Sequence, residues 1–209
     1  MRAVNGRLDK KALIVFAKQP EAGRVKTRIA KTTGDQHALE IYQELLGILL
    51  KTLESLQVPV YLYADRHPVF DREKPGFYNR IQRGEHLGEK MKNAFREVFE
   101  EGYEKVIIIG SDCPYLTEGT LSDAFEMLEQ TDICMGPSLD GGYYLLGMRA
   151  FYPALFDDIP WSTPVVLRET LDKATRNFLS TAMLIPLEDI DTFEAWKAYK
   201  RKTNGKEKK

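Results

Sequence analysis

A short apolar run that breaks into a basic loop constrains this chain more than any other stretch: residues 13–30 read LIVFAKQPEAGRVKTRIA. Leu13, Ile14, Val15, Phe16 and Ala17 carry no polar alternation, the pattern of an interior strand in a parallel sheet covered on both faces. The loop that follows offers Lys18, Gly23, Arg24, Lys26, Thr27 and Arg28. Cations, hydroxyls and free backbone N–H groups at the carboxyl end of a first strand suit a diphosphate, and open α/β sheets hold their ligands at that edge. A solvated surface turn would account for the same charges, but the position directly after the first buried strand favours phosphate. A P-loop needs glycine at positions 20 and 25, where this chain has Pro20 and Val25, and a dinucleotide fingerprint needs three spaced glycines where only Gly23 stands.

The 209 residues suit one domain, large enough to bury about 70% of the unfolded chain's surface without a disulfide or metal staple. Thirty Lys and Arg against 31 Asp and Glu leave a formal charge of −1. That balance lacks the global excess of a nucleic-acid binder, so an anion site must be local. The two cysteines, Cys113 and Cys134, have no nearby Cys or His partner, which suits reduced, buried thiols and a cytoplasmic location rather than a zinc site. No apolar h-region opens the sequence, and no apolar run reaches the roughly 18 residues of a membrane span.

Strand and helix signals alternate along the chain. Ala38, Tyr42, Leu45, Leu49, Leu53 and Leu56 share one face of a helix predicted from about Asp35 to Gln57, after Gly34. Strands are predicted at Val60–Ala64 and Tyr78–Gln82, separated by a polar segment with Pro68, Pro75 and Gly76. A second amphipathic helix carries Leu87, Met91, Ala94, Phe95, Val98 and Phe99 and ends by Gly102. Lys105–Gly110 contains the strongest buried-strand signal. A helix over about Glu118–Gln130 and strands at Asp132–Gly136 and Tyr143–Met148 follow. A helix from Pro164 to about Phe178, a strand at Ala182–Pro186 and a helix from about Thr192 to Arg201 complete the pattern. The expected architecture is α/β: a single Rossmann-like domain over residues 1–209, a mainly parallel sheet with helices on both faces, and flexible segments at 1–10 and 202–209.

Four further segments carry chemistry. In IIIGSDCPYLT, a buried strand delivers Asp112 to the sheet's carboxyl edge, and Pro114 stops the strand at once. A hard cation such as Mg²⁺ is held by one or two carboxylates plus phosphate oxygens, so Asp112 suits a metal ligand; a turn cap before Thr117 accounts for it as well. Asp140-Gly141-Gly142 reads first as a hairpin turn. The glycine pair also lets a ligand approach the backbone while Asp140 receives a hydroxyl, as a general base would. In IPWSTP, Ser162 or Thr163 with Pro164 marks a helix start, and Trp161 is either a core plug or a stacking wall for a sugar or base. In LEDIDTFEAW, Asp191 and Thr192 could cap the last helix, or the aspartates could complete a metal site begun by Asp112.

Together FAKQPEAGRVKTRIA, QRGEHLGEKM, IIIGSDCPYLT, GPSLDGGYYLLGM, IPWST and DIDTFEAW resemble, in order and over nearly the whole chain, the bacterial radical-SAM/selenodomain-associated glycosyltransferases. By that resemblance the fold is the GT-A nucleotide-diphospho-sugar transferase fold. The first loop is also similar to the KSRL loop of 2-phospho-lactate guanylyltransferases and, more distantly, to molybdenum-cofactor guanylyltransferases. The resemblance implies that the 18–28 loop holds the nucleotide's phosphates, that Leu87, Gly88 and Glu89 lie by the nucleoside, that Asp112 binds Mg²⁺ or Mn²⁺, and that Asp191 is the second ligand. Two departures leave the subclass open. Ser111-Asp112-Cys113-Pro114 has one carboxylate instead of the Asp-x-Asp common in glycosyltransferases of this fold, nearer the Gly-Asp-x-Pro of nucleotidyltransferases. Against that, a single Gly23 precedes Lys26-Thr27-Arg28, without the Gly-x-Gly-x-Arg core of the nucleotidyltransferase loop.

The reading that follows is a metal-dependent transferase acting on a nucleotide or nucleotide-sugar donor and a small-molecule acceptor. Lys26 and Arg28 grip the diphosphate with Lys18, Gly23 and Thr27, Asp140 meets the acceptor, and Gly141, Gly142, Trp161 and Ser162 line its site. Glycosyl transfer from a nucleoside diphosphate sugar is the first form of this reading. The alternatives are nucleotidyl transfer to a small phosphorylated acceptor with pyrophosphate release, and a non-catalytic nucleotide-binding protein compatible with a homodimer.

Overall fold

A computed structural model describes residues 10–67 and 75–204. The terminal stretches 1–9 and 205–209 and the predicted turn at Pro68 lie outside the described residues. Seven strands form one sheet: β1 Lys11–Ala17, β2 Val60–Ala64, β3 Phe77–Ile81, β4 Lys105–Ile109, β5 Ile133–Pro137, β6 Tyr143–Met148 and β7 Thr181–Met183. Their order is β3-β2-β1-β4-β6-β5-β7. All neighbours run parallel except β6, which lies antiparallel between β4 and β5.

The near-continuous apolar composition of β1 and β4 has a direct cause in this order: they sit at the centre and face two layers of helix. Leu13, Val15, Ile107 and Ile109 pack with Leu49 and Leu53 of α2 (Asp35–Glu54) and with Leu121 and Phe125 of α4 (Glu118–Met127). The alternate residues Ala12, Ile14, Val106 and Ile108 meet Met91, Phe95 and Val98 of α3 (Leu87–Glu100) and Ala174 of α5 (Val166–Arg176) on the other face. Each fully buried Leu, Ile, Val or Phe side chain among them contributes about 1.5–3 kcal/mol. α6 (Phe193–Asn204) closes one end, setting Trp196 and Tyr199 against Ile29, Ile41 and Leu45.

Several local expectations change; the strand expected at Ala182–Pro186 is β7, Thr181–Met183. A short helix, α1 (Thr27–Thr33), begins inside the basic loop and ends at Gly34, whose φ of 85° turns the chain into α2. The helix expected from Pro164 begins at Val166 instead. Pro164 is held against the 138–142 turn, where Leu167 N–H donates to the Gly141 carbonyl at 3.0 Å. The last helix runs to Asn204, so part of the tail expected from 202 is helical, with Lys202 over the Tyr115 ring. Cys113 and Cys134 are buried free thiols, and burial pushes both up to about 12. Among the described residues no helix is long and apolar enough to cross a membrane.

Candidate active site

Because β1, β4 and β5 run parallel, their carboxyl ends share one edge of the sheet with the start of β6 and the segment after β7. Two adjoining cavities of about 630 and about 410 Å³ lie along this edge, and Lys18, Arg28, Leu87, Asp112 and Asp191 line both.

The smaller cavity belongs to the basic loop. Tyr42 of α2 fixes its beginning: the Lys18 N–H donates to the Tyr42 hydroxyl at 2.8 Å, and that hydroxyl lies 3.1 Å from the Lys18 carbonyl and 3.2 Å from the Ser111 Oγ. Burial pushes the Tyr42 phenol up to about 12, so it stays neutral. Gln82 ties the neighbouring strand ends together, donating from Nε2 to the Ala17 and Tyr63 carbonyls at 3.1 and 3.0 Å. The Gln19 N–H donates to Asp65 Oδ1 at 2.6 Å. Gly23 takes a φ of 78°, which a side chain rarely adopts.

Lys26 precedes α1 in a left-handed conformation, φ 47° and ψ 44°. Such a backbone costs a non-glycine residue about 1–3 kcal/mol and persists where its surroundings over-determine it. Here the side chain supplies that constraint. It is 5% exposed, and its Nζ lies 2.9 Å from Asp112 Oδ1 and 3.6 Å from Asp191 Oδ1. The same ammonium donates to the Ile190 carbonyl at 2.6 Å. Arg28 reaches the other Asp191 oxygen from solvent at 3.1 Å. The two acid-bearing loops are joined through the backbone as well, by the Ile190 N–H donating to the Asp112 carbonyl at 2.9 Å.

Two carboxylates and a carbonyl therefore converge on one cation. That hard oxygen set suits Mg²⁺ or Mn²⁺ completed by phosphate oxygens, and Asp112 and Asp191 could hold such an ion. Among the described residues no group of three or more His, Cys, Asp or Glu side chains forms a full protein cage. Asp112 does not cap the helix after it; the Thr117 hydroxyl does, accepting the Thr120 N–H at 3.1 Å.

The larger cavity extends toward β6. Asp140 shapes the 138–142 turn by accepting the Gly142 N–H at 2.9 Å, while Gly141 takes a φ of 91°. A Cβ on Gly141 would stand 2.0 Å from the Pro164 carbonyl oxygen, so only glycine allows the turn and the 160–165 segment to touch. The hairpin expectation and the cavity-facing position of Asp140 hold together. Trp161 is both plug and wall. Its ring stacks on Phe156 at 6.4 Å, its Nε1 occupies the space a Cβ on Gly88 would need, and it lines the cavity. Ser162 also lines the cavity, with a φ of 64°. The Thr163 hydroxyl donates to the Pro160 carbonyl at 2.6 Å instead of capping a helix.

Of the Leu87-Gly88-Glu89 group, Leu87 faces both cavities, Gly88 lies under Trp161, and the Glu89 carboxylate accepts the Glu85 N–H at 2.7 Å at the start of α3. Residue-by-residue reading missed Tyr42, Gln82 and Ser111. Asp189 lines both cavities and accepts from the Ser138 hydroxyl at 2.8 Å. Burial pushes its carboxyl up to about 6, offset in part by that hydrogen bond and reinforced by the Asp112, Asp140 and Asp191 carboxylates. It is the other aspartate of the LEDID segment, read in the sequence with Asp191 as a candidate to complete the metal site.

A family model described as an uncharacterized protein conserved in bacteria, DUF2064, matches residues 49–163, more than half of the chain. The chain belongs to the DUF2064 family. Its resemblance in structure extends further. The crystal structure of a Desulfovibrio desulfuricans G20 protein, provisionally named a nucleotide-diphospho-sugar transferase, is 32% identical with a TM-score of 0.82, covering 88% of this DUF2064 chain and 84% of that one. A 2-phospho-L-lactate guanylyltransferase of Methanocaldococcus jannaschii is 26% identical over 130 residues, 60% of this chain; the match spans only 55% of that relative's length. CMP:2-keto-3-deoxy-manno-octonic acid synthetase, crystallised with CTP, is 9% identical with a TM-score of 0.58, covering 94% of this chain and 99% of that one, a likeness of fold alone. The DUF2064 chain thus has the GT-A-like fold shared by nucleotidyltransferases and nucleotide-sugar transferases.

Proposed function

We propose that the protein is a metal-dependent transferase that takes a nucleotide donor at the β1 end of the cleft and, in its best-supported form, moves the sugar of a nucleoside diphosphate sugar to a small acceptor at the β6 end. The observation that carries this reading is the meeting of Lys26, Asp112 and Asp191, at 2.9 and 3.6 Å, in the cavity into which the basic loop opens. Lys18, Gly23, Lys26, Thr27 and Arg28 surround the donor's diphosphate, with Leu87, Gly88 and Glu89 on the nucleoside side. Asp112 and Asp191 would hold Mg²⁺ or Mn²⁺, which would supply charge neutralisation at the diphosphate. Asp140 accepts the proton of the attacking hydroxyl, and Gly141, Gly142, Trp161 and Ser162 orient the acceptor.

Charge favours sugar transfer over nucleotidyl transfer to a phosphorylated acceptor. Among the described residues lining the larger cavity the cations are Lys18 and Arg28, which line the smaller cavity as well, whereas Asp140 lines the larger one alone. A phosphate monoester at the Asp140 end would be repelled by that carboxylate, while a neutral hydroxyl compound beside Trp161 would not. The nucleotidyl reading draws its support from the match to 2-phospho-L-lactate guanylyltransferases.

The test is a thermal-shift screen of UDP-, GDP- and CDP-sugars and free NTPs, with and without Mg²⁺ or Mn²⁺, since a ligand of the folded state raises Tm by mass action. Stabilisation by a nucleotide sugar with metal, followed by nucleoside diphosphate release on adding acceptors, is expected. Pyrophosphate release from an NTP would replace it with the nucleotidyl reading. Binding with neither metal dependence nor turnover would reject both.

A further inference from the structure

Lys26 is placed where it cannot yet serve the donor. An ammonium has three N–H bonds, and this one has three oxygen partners: the Ile190 carbonyl at 2.6 Å, Asp112 at 2.9 Å and Asp191 at 3.6 Å. Its side chain is 5% exposed. The partners are the same oxygens that suit the divalent ion, and two cations cannot share one small oxygen cluster without strong repulsion. With Arg28 also on Asp191, the four charged groups already balance, so a free divalent ion arriving alone gains little. It would moreover leave a buried ammonium without a partner, a costly state. A diphosphate removes that obstacle, because it gives the ammonium new oxygens nearby.

From this we infer that Lys26 is a resident, exchangeable cation: in the donor-free protein it holds the Asp112–Asp191 pair and keeps a divalent ion out, and it turns onto the diphosphate only as the donor enters. The inference rests on the nucleotide-donor reading and narrows it, since the species accepted is the metal complex of the nucleotide and not the free nucleotide.

Mn²⁺ titration of the full chain, followed by the paramagnetic resonance signal of free Mn²⁺, tests the exchange without any turnover. With no nucleotide present, Lys26→Met is expected to bind Mn²⁺ at least about tenfold more tightly than the wild type, and Lys26→Gln to do the same. In the wild type, Mn²⁺ is expected to tighten binding of GDP or UDP, read by equilibrium dialysis, by about tenfold or more, a coupling that both variants lose. Circular dichroism confirms that each variant is folded; should Lys26→Met unfold, Lys26→Gln and the wild-type dialysis carry the test. Equal Mn²⁺ affinity in wild type and variants, or GDP and UDP binding to the wild type that ignores Mn²⁺, overturns the exchange. Failure of every nucleotide to bind would instead reject the donor reading, and the metal comparison between wild type and variants would still judge the role of Lys26.

Discussion

On the proposed donor side of the cleft Lys26 reaches 164 residues along the chain to the Ile190 carbonyl, and the basic loop, the Asp112 turn and the Asp191 segment are joined by charge and hydrogen bonds. On the proposed acceptor side the same work is done by close packing, with Gly141 against the Pro164 carbonyl and Gly88 beneath Trp161. The difference has a physical lesson. A site for a highly charged group is built from charges that only the complete fold brings together, whereas a site for a weakly charged group is shaped by volume. Removing a charge should therefore injure one half, and adding a methyl group the other.

The largest effect expected is from Asp112→Ala, which removes a carboxylate from the donor side. It should abolish metal-dependent Tm stabilisation by the nucleotide and lower kcat/KM by about 10³-fold; unaltered metal-dependent stabilisation would break the assignment of the donor half. Asp140→Asn should come next, lowering kcat by about 10²-fold while the donor Kd stays the same, as expected for loss of a general base. A weakened donor Kd in that variant would mean the two halves are not separate. Gly88→Ala sharpens the packing side of the contrast. Its Cβ would stand 2.0 Å from Trp161 Nε1, so calorimetric stability should fall by about 1–3 kcal/mol and the acceptor KM should rise. Adding Trp161→Ala should remove the clash without restoring the KM.

The smallest effect concerns a charged tie remote from both halves. Asp132 precedes β5 at the opposite edge of the sheet, where it accepts from Ser180, Tyr152 and Arg149. The Ser180 hydrogen bonds, with those from Tyr152 and Arg149, hold its carboxyl down at about 2, against an ordinary 3.8. The ionised form thus favours the folded state, a contribution present above pH 4 and lost as pH falls toward 2. Asp132→Asn should therefore be less stable at neutral pH, with the gap to wild type closing toward pH 2 in acid-unfolding curves. Donor binding should be unaffected; a change in donor Kd would show that charge ties act at long range in this fold.

The same division marks what a single sequence discloses. Strands β1, β2, β4 and β6 were legible because burial on both faces leaves uninterrupted apolar runs, and Asp112 because it ends one of them. Helix α1 was not: Thr27–Thr33 has one buried residue, Ile29, too weak a period to stand out from the basic loop. The β7 strand was expected at Ala182–Pro186 but ends at Met183, after which the chain bends so that Leu187 bridges Ser138. Tyr42 and Gln82 could not be found from spacing, since Tyr42 reads as one more residue on the apolar face of α2 and Gln82 as the end of a strand. Their roles depend on which strand ends become neighbours, and that is fixed by the sheet order. The contacts of Lys26 with Asp112, Asp191 and the Ile190 carbonyl are likewise invisible in a motif, because a basic loop gives no hint that one of its cations is already taken.

The reversed direction of β6 has a consequence for how this scaffold can diversify. A parallel strand in that place would need a long crossover to return the chain, but an antiparallel one is reached by a tight tip at 138–142. Inserting residues at such a tip adds only about 0.6 kcal/mol of closure entropy per doubling of loop length. Related chains could thus enlarge or reshape the compartment opposite the nucleotide by growth at one point, with every strand that carries the phosphate-facing residues left in register.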